Sequence, residues 1–294
     1  MIRLVLLLAL LCSSTLTLAQ GGTITSGPAT FYRSFGLGQS VELKGVSTFP
    51  TYSQLSDFGW WYRVNGDPTQ YQFPTPTLEA YPGNTSTRSW LNVNGRGFNA
   101  REVCTLVGTA APAGGALSCT MTLINPAAVP LSINLFVAAN IALPLGNPTD
   151  SATLGVANQR IDIAAANGLT RARFHGIGAA AYAVSGAFGG ISNLLNNGSL
   201  TNFTNTGLPS GPISFWGGYQ WKLIVAGNSS RDATSLIEII TDPVNGVCAT
   251  IPPQTSVTVP AFGACVTGVG SAPLFPTLAN YTWKIGRASC RERV

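Results

Sequence analysis

Residues 118–137 read SCTMTLINPAAVPLSINLFV, two alternating runs separated by a turn with a proline at each end. In the first run Cys119, Met121 and Leu123 fall on one face, with Thr120 and Thr122 on the other. In the second, Leu131, Ile133, Leu135 and Val137 share a face. A repeat of two is the side-chain period of a β-strand, and an apolar residue at every second position marks a strand with one face on a core. The pair predicts a β-hairpin with a long turn.

Similar runs recur on either side: SVELK (40–44), GWWYRV (59–64), SWLNV (89–93), QRIDI (159–163), TRARFH (170–175), YQWKLIV (219–225), SLIEIIT (235–241) and TSVTV (255–259). Their spacing, with 33 glycines and 19 prolines to punctuate them, predicts a mainly β fold. The expected architecture is an antiparallel β-sandwich of the large, many-stranded kind. Only FGGISNLLNN (188–197) predicts a helix, a short one, from the near-helical spacing of Ile191, Leu194 and Leu195. Residues 196–212 predict a long loop, and loops of that length in a compact domain often carry function. The absence of a fixed-period repeat argues against propellers and solenoids.

Both ends of the chain read as something other than fold. Arg3 precedes the apolar run LVLLLALL and then CSSTLTLAQ, with Thr17 and Ala19 as the small residues before a cleavage point. This is the pattern of a secretory signal occupying residues 1–19. Eight apolar residues are too few to span a bilayer, so no membrane span is expected. Residues 284–294, KIGRASCRERV, resemble translated sequencing adapter. Ile285 to Val294 can be encoded by ATC GGA AGA GCG TCG TGT AGG GAA AGA GTG, which matches an adapter start in register. The expected mature domain is therefore a single β-sandwich over 20–283, truncated at its C-terminus.

Removing both ends changes the charge. The 16 Lys and Arg lose Arg3, Lys284, Arg287, Arg291 and Arg293, leaving 11; the 11 Asp and Glu lose Glu292, leaving 10. The net charge falls from +5 to +1. That balance gives no whole-chain attraction to nucleic acid. Of six cysteines, Cys104, Cys119, Cys248 and Cys265 remain. In an oxidising compartment the local pairing 104–119 and 248–265 is the simplest of the three possible connectivities. Five sequons mark glycan sites in a eukaryotic secretory pathway: Asn84, Asn197, Asn202, Asn228 and Asn280.

The segments GWWYRVNGD, INPAAVPLSINLF, GAAAYAV, NLLNNGSLTNFTNTGLPSGPISF and YQW, within 59–225, together resemble a group of uncharacterised exported β-rich bacterial proteins. The resemblance implies export and a β fold, and it carries over no activity. In that group the segment matching FVAANIAL has acidic residues, whereas this chain has Asn140 and Ala142.

Two stretches offer candidate ligand-binding residues. In GWWYRV, Trp61 and Arg63 share a face, and an exposed indole could stack on a sugar ring while a polar neighbour fixes its orientation. The competing reading is a central strand covered on both sides, or Arg63 lying over Trp61. In TRARFH, Arg171, Arg173 and His175 share a face that could grip a carboxylate or sulfate, or form the wet side of an edge strand. GNPTDSATL (146–154) reads as an ordinary turn, despite Asn147 and Asp150. No Cys-x-x-Cys occurs and there is one histidine, so no metal or cofactor is expected. Glu238 stands out as an acid inside an apolar strand. The composition points to a secreted, non-catalytic binding or surface-structural module, with an extracellular glycan as the expected partner. The alternative is a carbohydrate-active enzyme of hydrolase or lyase type on a large β-sandwich, which needs two carboxylates converging within about 10 Å in one cleft.

Overall fold

The computed structural model describes residues 21–34, 40–110, 113–144, 150–155, 159–166, 168 and 170–241. It also describes the backbone of five short strand segments between 249 and 283. The expected signal segment, the tail at 284–294, the Cys248–Cys265 pairing, Asn147 and Asn280 lie outside the described residues.

Three short strands come first, β1 (Gly22–Ser26), β2 (Ala29–Arg33) and β3 (Val41–Lys44), paired in that order. They are followed by β4 (Leu55–Val64), β5 (Tyr71–Gln72), β6 (Leu78–Ala80) and β7 (Thr85–Trp90). A long hairpin of β8 (Asn99–Ala110) and β9 (Ala113–Asn125) leads to β10 (Leu131–Ile141). Next are β11 (Asp150–Leu154), β12 (Arg160–Ala164), β13 (Thr170–Ile177), β14 (Ala181–Ser185) and the helix α1 (Gly190–Asn196). The described core ends with β15 (Ser210–Ile213), β16 (Phe215–Val225) and β17 (Ser229–Thr241).

These strands build two large antiparallel sheets. One has five strands in the order β14-β16-β10-β4-β5, and the other nine, in the order β15-β11-β12-β13-β17-β9-β8-β7-β6. Alternate residues of each sheet meet in one core: Trp60, Tyr62, Leu135, Val137, Tyr219 and Trp221 from the first, Leu117, Met121, Leu123, Phe174 and Ile237 from the second. Ile24, Phe31 and Leu43 bring the three-stranded sheet into the same core. The mainly β sandwich is as expected, with α1 as its helix.

The hairpin expected across residues 118–137 does not form. β9 and β10 carry the predicted alternation but belong to different sheets. Both edges of β9 are taken, by β8 and β17, so β10 crosses the core and pairs with β4 and β16. Asn125 fixes the corner, its Nδ2 donating to the carbonyls of Val129, Val225 and Ala226 at 2.8–3.2 Å. Alternation names the inward face of a strand, and two facing strands of a sandwich share that face whether or not they pair. SWLNV is strand only to Trp90, because Asn92 and Asn94 turn into the left-handed region at φ 46° and 47°.

Cys104 and Cys119 sit directly opposite each other on β8 and β9, buried, and form the expected disulfide. Beside it Glu102, also buried, receives the Arg33 guanidinium and, at 2.8 Å, the Trp60 indole N–H. Glu102 thus ties the three-stranded sheet to β4 through the core. A bond closing a loop of this length contributes about 3 kcal/mol, chiefly by restricting the unfolded chain. Replacing both cysteines by alanine should lower the thermal midpoint by roughly 5–10 °C while leaving the circular dichroism spectrum of the native state intact. An unchanged midpoint in calorimetry would show that this bridge does not constrain the chain.

Candidate functional site

The five-stranded sheet has a second face, and it is also apolar. Trp61, Phe136, Ala138, Ala181, Ala183 and Trp216 point away from the sandwich core. They are covered by Ile191 and Leu195 of α1 and by Phe203 of the loop that follows. Gly218 of β16 permits the close approach. A β-carbon there would lie 2.7 Å from the Val137 carbonyl oxygen, 2.9 Å from Ile191 and 3.0 Å from Phe203.

Polar side chains on the sheet pin the loop. Arg63 donates to the Thr201 carbonyl at 2.5 Å and to Asn202 Oδ1 at 2.6 Å. Gln70 donates to the carbonyls of Leu195 and Ser199 and accepts the Thr201 N–H. Gln220 accepts the Phe203 N–H at 2.8 Å and donates to Asn134 and Asn202. Each of these buried polar groups is satisfied by the loop it holds, which is what makes its burial tolerable.

Where this cover ends, a cleft of about 900 Å³ opens over one end of the sheet. Its sheet side carries Ser56, Asp57, Asn140, Ala142, Ser214 and Trp216. Phe188, Gly189, Ser192, Asn193 and Asn196 come from α1 and its approach, and Ser40, Tyr52, Ser53 and Gln72 from segments flanking β4. A β-bulge shapes the floor. Asn140 pairs with Asp57 but Ile141 pairs with Leu55, so Ser56 is the extra residue. Bulges re-aim side chains, and here Ser56 Oγ donates to Asn140 Oδ1 at 2.8 Å. Asn196 Oδ1 accepts the Trp61 indole N–H at 2.8 Å, joining the cleft to the covered face. Phe188 is 91% exposed and sits edge-on to Trp216, ring centroids 6.0 Å apart.

Of the residues expected from sequence to bind a ligand, Trp61 and Arg63 are not an open platform. Trp61 is 0% and Arg63 6% exposed, both beneath the cover, and the guanidinium lies 5.7 Å over Phe136, not over Trp61. Arg171, Arg173 and His175 do share the solvent side of β13. That strand is not an edge, being flanked by β12 and β17. Glu238 faces the same way, with His175 Nε2 at 2.9 Å from its carboxylate. Asn84, Asn197, Asn202 and Asn228 are exposed. Sequence reasoning missed Asp57, Ser192, Trp216 and Phe188. The only signal was oblique: Asn140 and Ala142, where the resembling group has acids, both line the cleft.

No family model matches the chain, and no curated protein matches it in sequence. Among solved structures it is similar to a bacterial glucoamylase complexed with acarbose, at 7% identity and a TM-score of 0.41 over 76% of this chain and 31% of that one. It is also similar to a protein described as an aldose 1-epimerase from Escherichia coli K12, at 8% identity and 0.46 over 76% of this chain and 99% of that one. A polysaccharide lyase gives 9% identity and 0.40 over 71% and 31%. The chain thus spans less than a third of the glucoamylase and lyase chains. Likenesses at these levels carry no argument about activity.

The single charged side chain among the described lining residues is Asp57. Burial pushes its carboxyl up to about 6, opposed by the Ser192 hydroxyl donating at 3.4 Å. Its folded form therefore holds a proton more tightly than the unfolded chain, whose carboxyl titrates near 3.8. Stability falls as pH rises from the unfolded value through about 6, and above that the cost of the buried charge is fully present. Asp57→Asn should accordingly raise the thermal midpoint by a few degrees at pH 8, with the advantage shrinking to nothing near pH 3.5. A midpoint difference independent of pH would contradict this placement of the carboxyl.

Proposed function

We propose that the chain is a secreted, non-catalytic module that binds a neutral glycan in the cleft bounded by β4, β10, β16 and α1. The observation that carries this reading is the chemistry of the lining. Serine hydroxyls, the amides of Gln72, Asn140, Asn193 and Asn196, and the Tyr52 phenol supply both donors and acceptors without net charge. Phe188 adds exposed aromatic surface at one side, backed by the buried Trp216. Sugars present the same mixture, rows of hydroxyls alternating with apolar C–H faces, and sites for them combine a few oriented polar groups with an aromatic wall. The volume is within the range of small-ligand pockets.

A single carboxylate among the described lining residues favours binding over hydrolysis. General acid and base work on a glycosidic bond takes two placed carboxyl groups. Burial raises the Tyr52 phenol pKa and Asp150 adds to it; Asp150 is itself fully buried and accepts the Leu143 N–H at 3.3 Å. Export accords with the buried Cys104–Cys119 bridge, since such bonds persist in oxidising compartments. Among the described residues no helix is long and apolar enough to cross a membrane.

The test is a panel of neutral oligosaccharides measured by calorimetry, with product analysis of the same mixtures by mass spectrometry. Binding should appear for at least one neutral glycan, with no change in its mass. Phe188→Ala should weaken that binding by roughly threefold to tenfold. Because the ring is exposed, its loss should leave the thermal midpoint within about a degree. Absence of binding across the panel, or binding indifferent to both Phe188→Ala and Asn140→Ala, would remove the proposal.

A further inference from the structure

The outer face of the nine-stranded sheet, on the far side of the core from the cleft, carries an ordered lattice of charge. Strand register sets the rows. Ser151, Ala164, Arg171 and Ile240 lie side by side across β11, β12, β13 and β17. The next row is Thr153, Asp162, Arg173 and Glu238, and the third begins at Arg160 and His175. Ala164 is the short residue in this array, and the surface dips around it into a cavity of about 370 Å³. Arg160, Arg171 and Arg173 line the cavity with the hydroxyls of Ser151 and Thr153, against one carboxylate, Asp162.

Two acids stand against these arginines, and one oxygen of Asp162, Oδ1, is buried without a hydrogen-bond partner. Asp162 takes a hydrogen bond from Arg160 Nη2 at 2.9 Å, while Arg173 Nε stands 3.8 Å from its other oxygen. Glu238 is 2.9 Å from His175 Nε2 and 3.9 Å from Arg173 Nη1. Arg173, at the centre, is thus near two carboxylates yet too far from either for a hydrogen bond. Arg160 Nε is buried beside Gly155 and, like Asp162 Oδ1, has no hydrogen-bond partner. A planar, half-exposed guanidinium with unused donors beside two hydroxyls is a geometry that accepts a two- or three-oxygen anion.

We infer that this cavity is an oxyanion-binding site for a carboxylate or sulfate group carried on a larger molecule. The group would sit against Arg173 over Ala164, within reach of the Ser151 and Thr153 hydroxyls, and the volume leaves room for the sugar or other residue that bears it. Nothing in the inference depends on the neutral-glycan reading of the cleft, which lies on the other sheet.

Three probes separate the sources: oligogalacturonate for carboxylate, sulfated dextran oligomers for sulfate, and unsulfated dextran as the neutral control. Isothermal titration at low and moderate salt should show binding of at least one anionic probe and none of the neutral one, weakening as salt rises. Arg173→Ala should reduce that affinity at least about tenfold, the scale of a lost charge-assisted hydrogen bond. Asp162→Asn, which removes the competing acid, should increase affinity, an effect that a purely structural ion pair would not produce. Lys222→Ala, removing the same charge from an exposed position on β16, is the control and should change little. Failure of both anionic probes to bind would overturn the inference. So would equal weakening by Arg173→Ala and Lys222→Ala, which would indicate attraction to overall charge. Binding of neutral oligosaccharides to the cleft, measured in the Arg173→Ala protein, should be unaltered.

Discussion

A sheet that is apolar on both faces has to be covered twice, and this constraint organises the molecule. In β4 the residues Trp60 and Tyr62 turn toward the sandwich core, while Trp61 between them turns the other way and is equally dry. Phe136 and Ala138 of β10 and Trp216 of β16 extend that second apolar surface across three strands. Left in water, each large side chain would forgo about 2–3 kcal/mol of burial. The nine-stranded sheet answers for one face. The helix α1 and the loop after it answer for the other.

The functional proposal is a consequence of that second cover. A short helix with no side-chain cap at its start is a weak element on its own, so its position is set by what it packs on and by the side chains that reach up to it. Arg63, Gln70 and Gln220 serve that purpose, each placing its polar end on loop backbone or on Asn202. The cover stops short of the end of β4 and β10, where Ser56 is bulged out and Asp57 and Asn140 stand side by side. The cleft is the space between the end of the cover and the end of the sheet. Polar residues gather there because that part of the sheet is wet, and Phe188 projects from the cover's edge.

The strand content and the helix were legible because each depends on local period. Alternation in residues 118–124 and 131–137 fixed their inward faces correctly, and Ile191 and Leu195 do bury the helix, although Leu194 is half-exposed and Ser192 takes its place inward. The sheet that β10 joins was not legible. Period two is the same for a hairpin partner and for a strand facing across the core, so β9 and β10 were indistinguishable from a pair. The aromatic run GWWYRV carries no alternation of polarity at all, which is itself the mark of a strand buried on both sides. What covers it lies more than a hundred residues away. The cleft was hidden for the same reason: Ser56, Asp57, Asn140 and Ser192 are ordinary polar residues in sequence, and only the bulge and the end of the helix bring them together. The arginines of TRARFH were visible as a charged face, but the dip at Ala164 that groups them depends on cross-strand register.

The central claim is that the segment from Phe188 to Phe203 is held over the second face of the five-stranded sheet and forms one wall of the cleft. Amide hydrogen exchange on the wild-type protein and on Arg63→Ala tests this most directly. Loss of the two hydrogen bonds from Arg63 to the loop should speed exchange by about tenfold or more across residues 191–203, with β8, β9 and β17 unchanged. Exchange that accelerates equally in all strands, or not at all in the loop, would contradict the account.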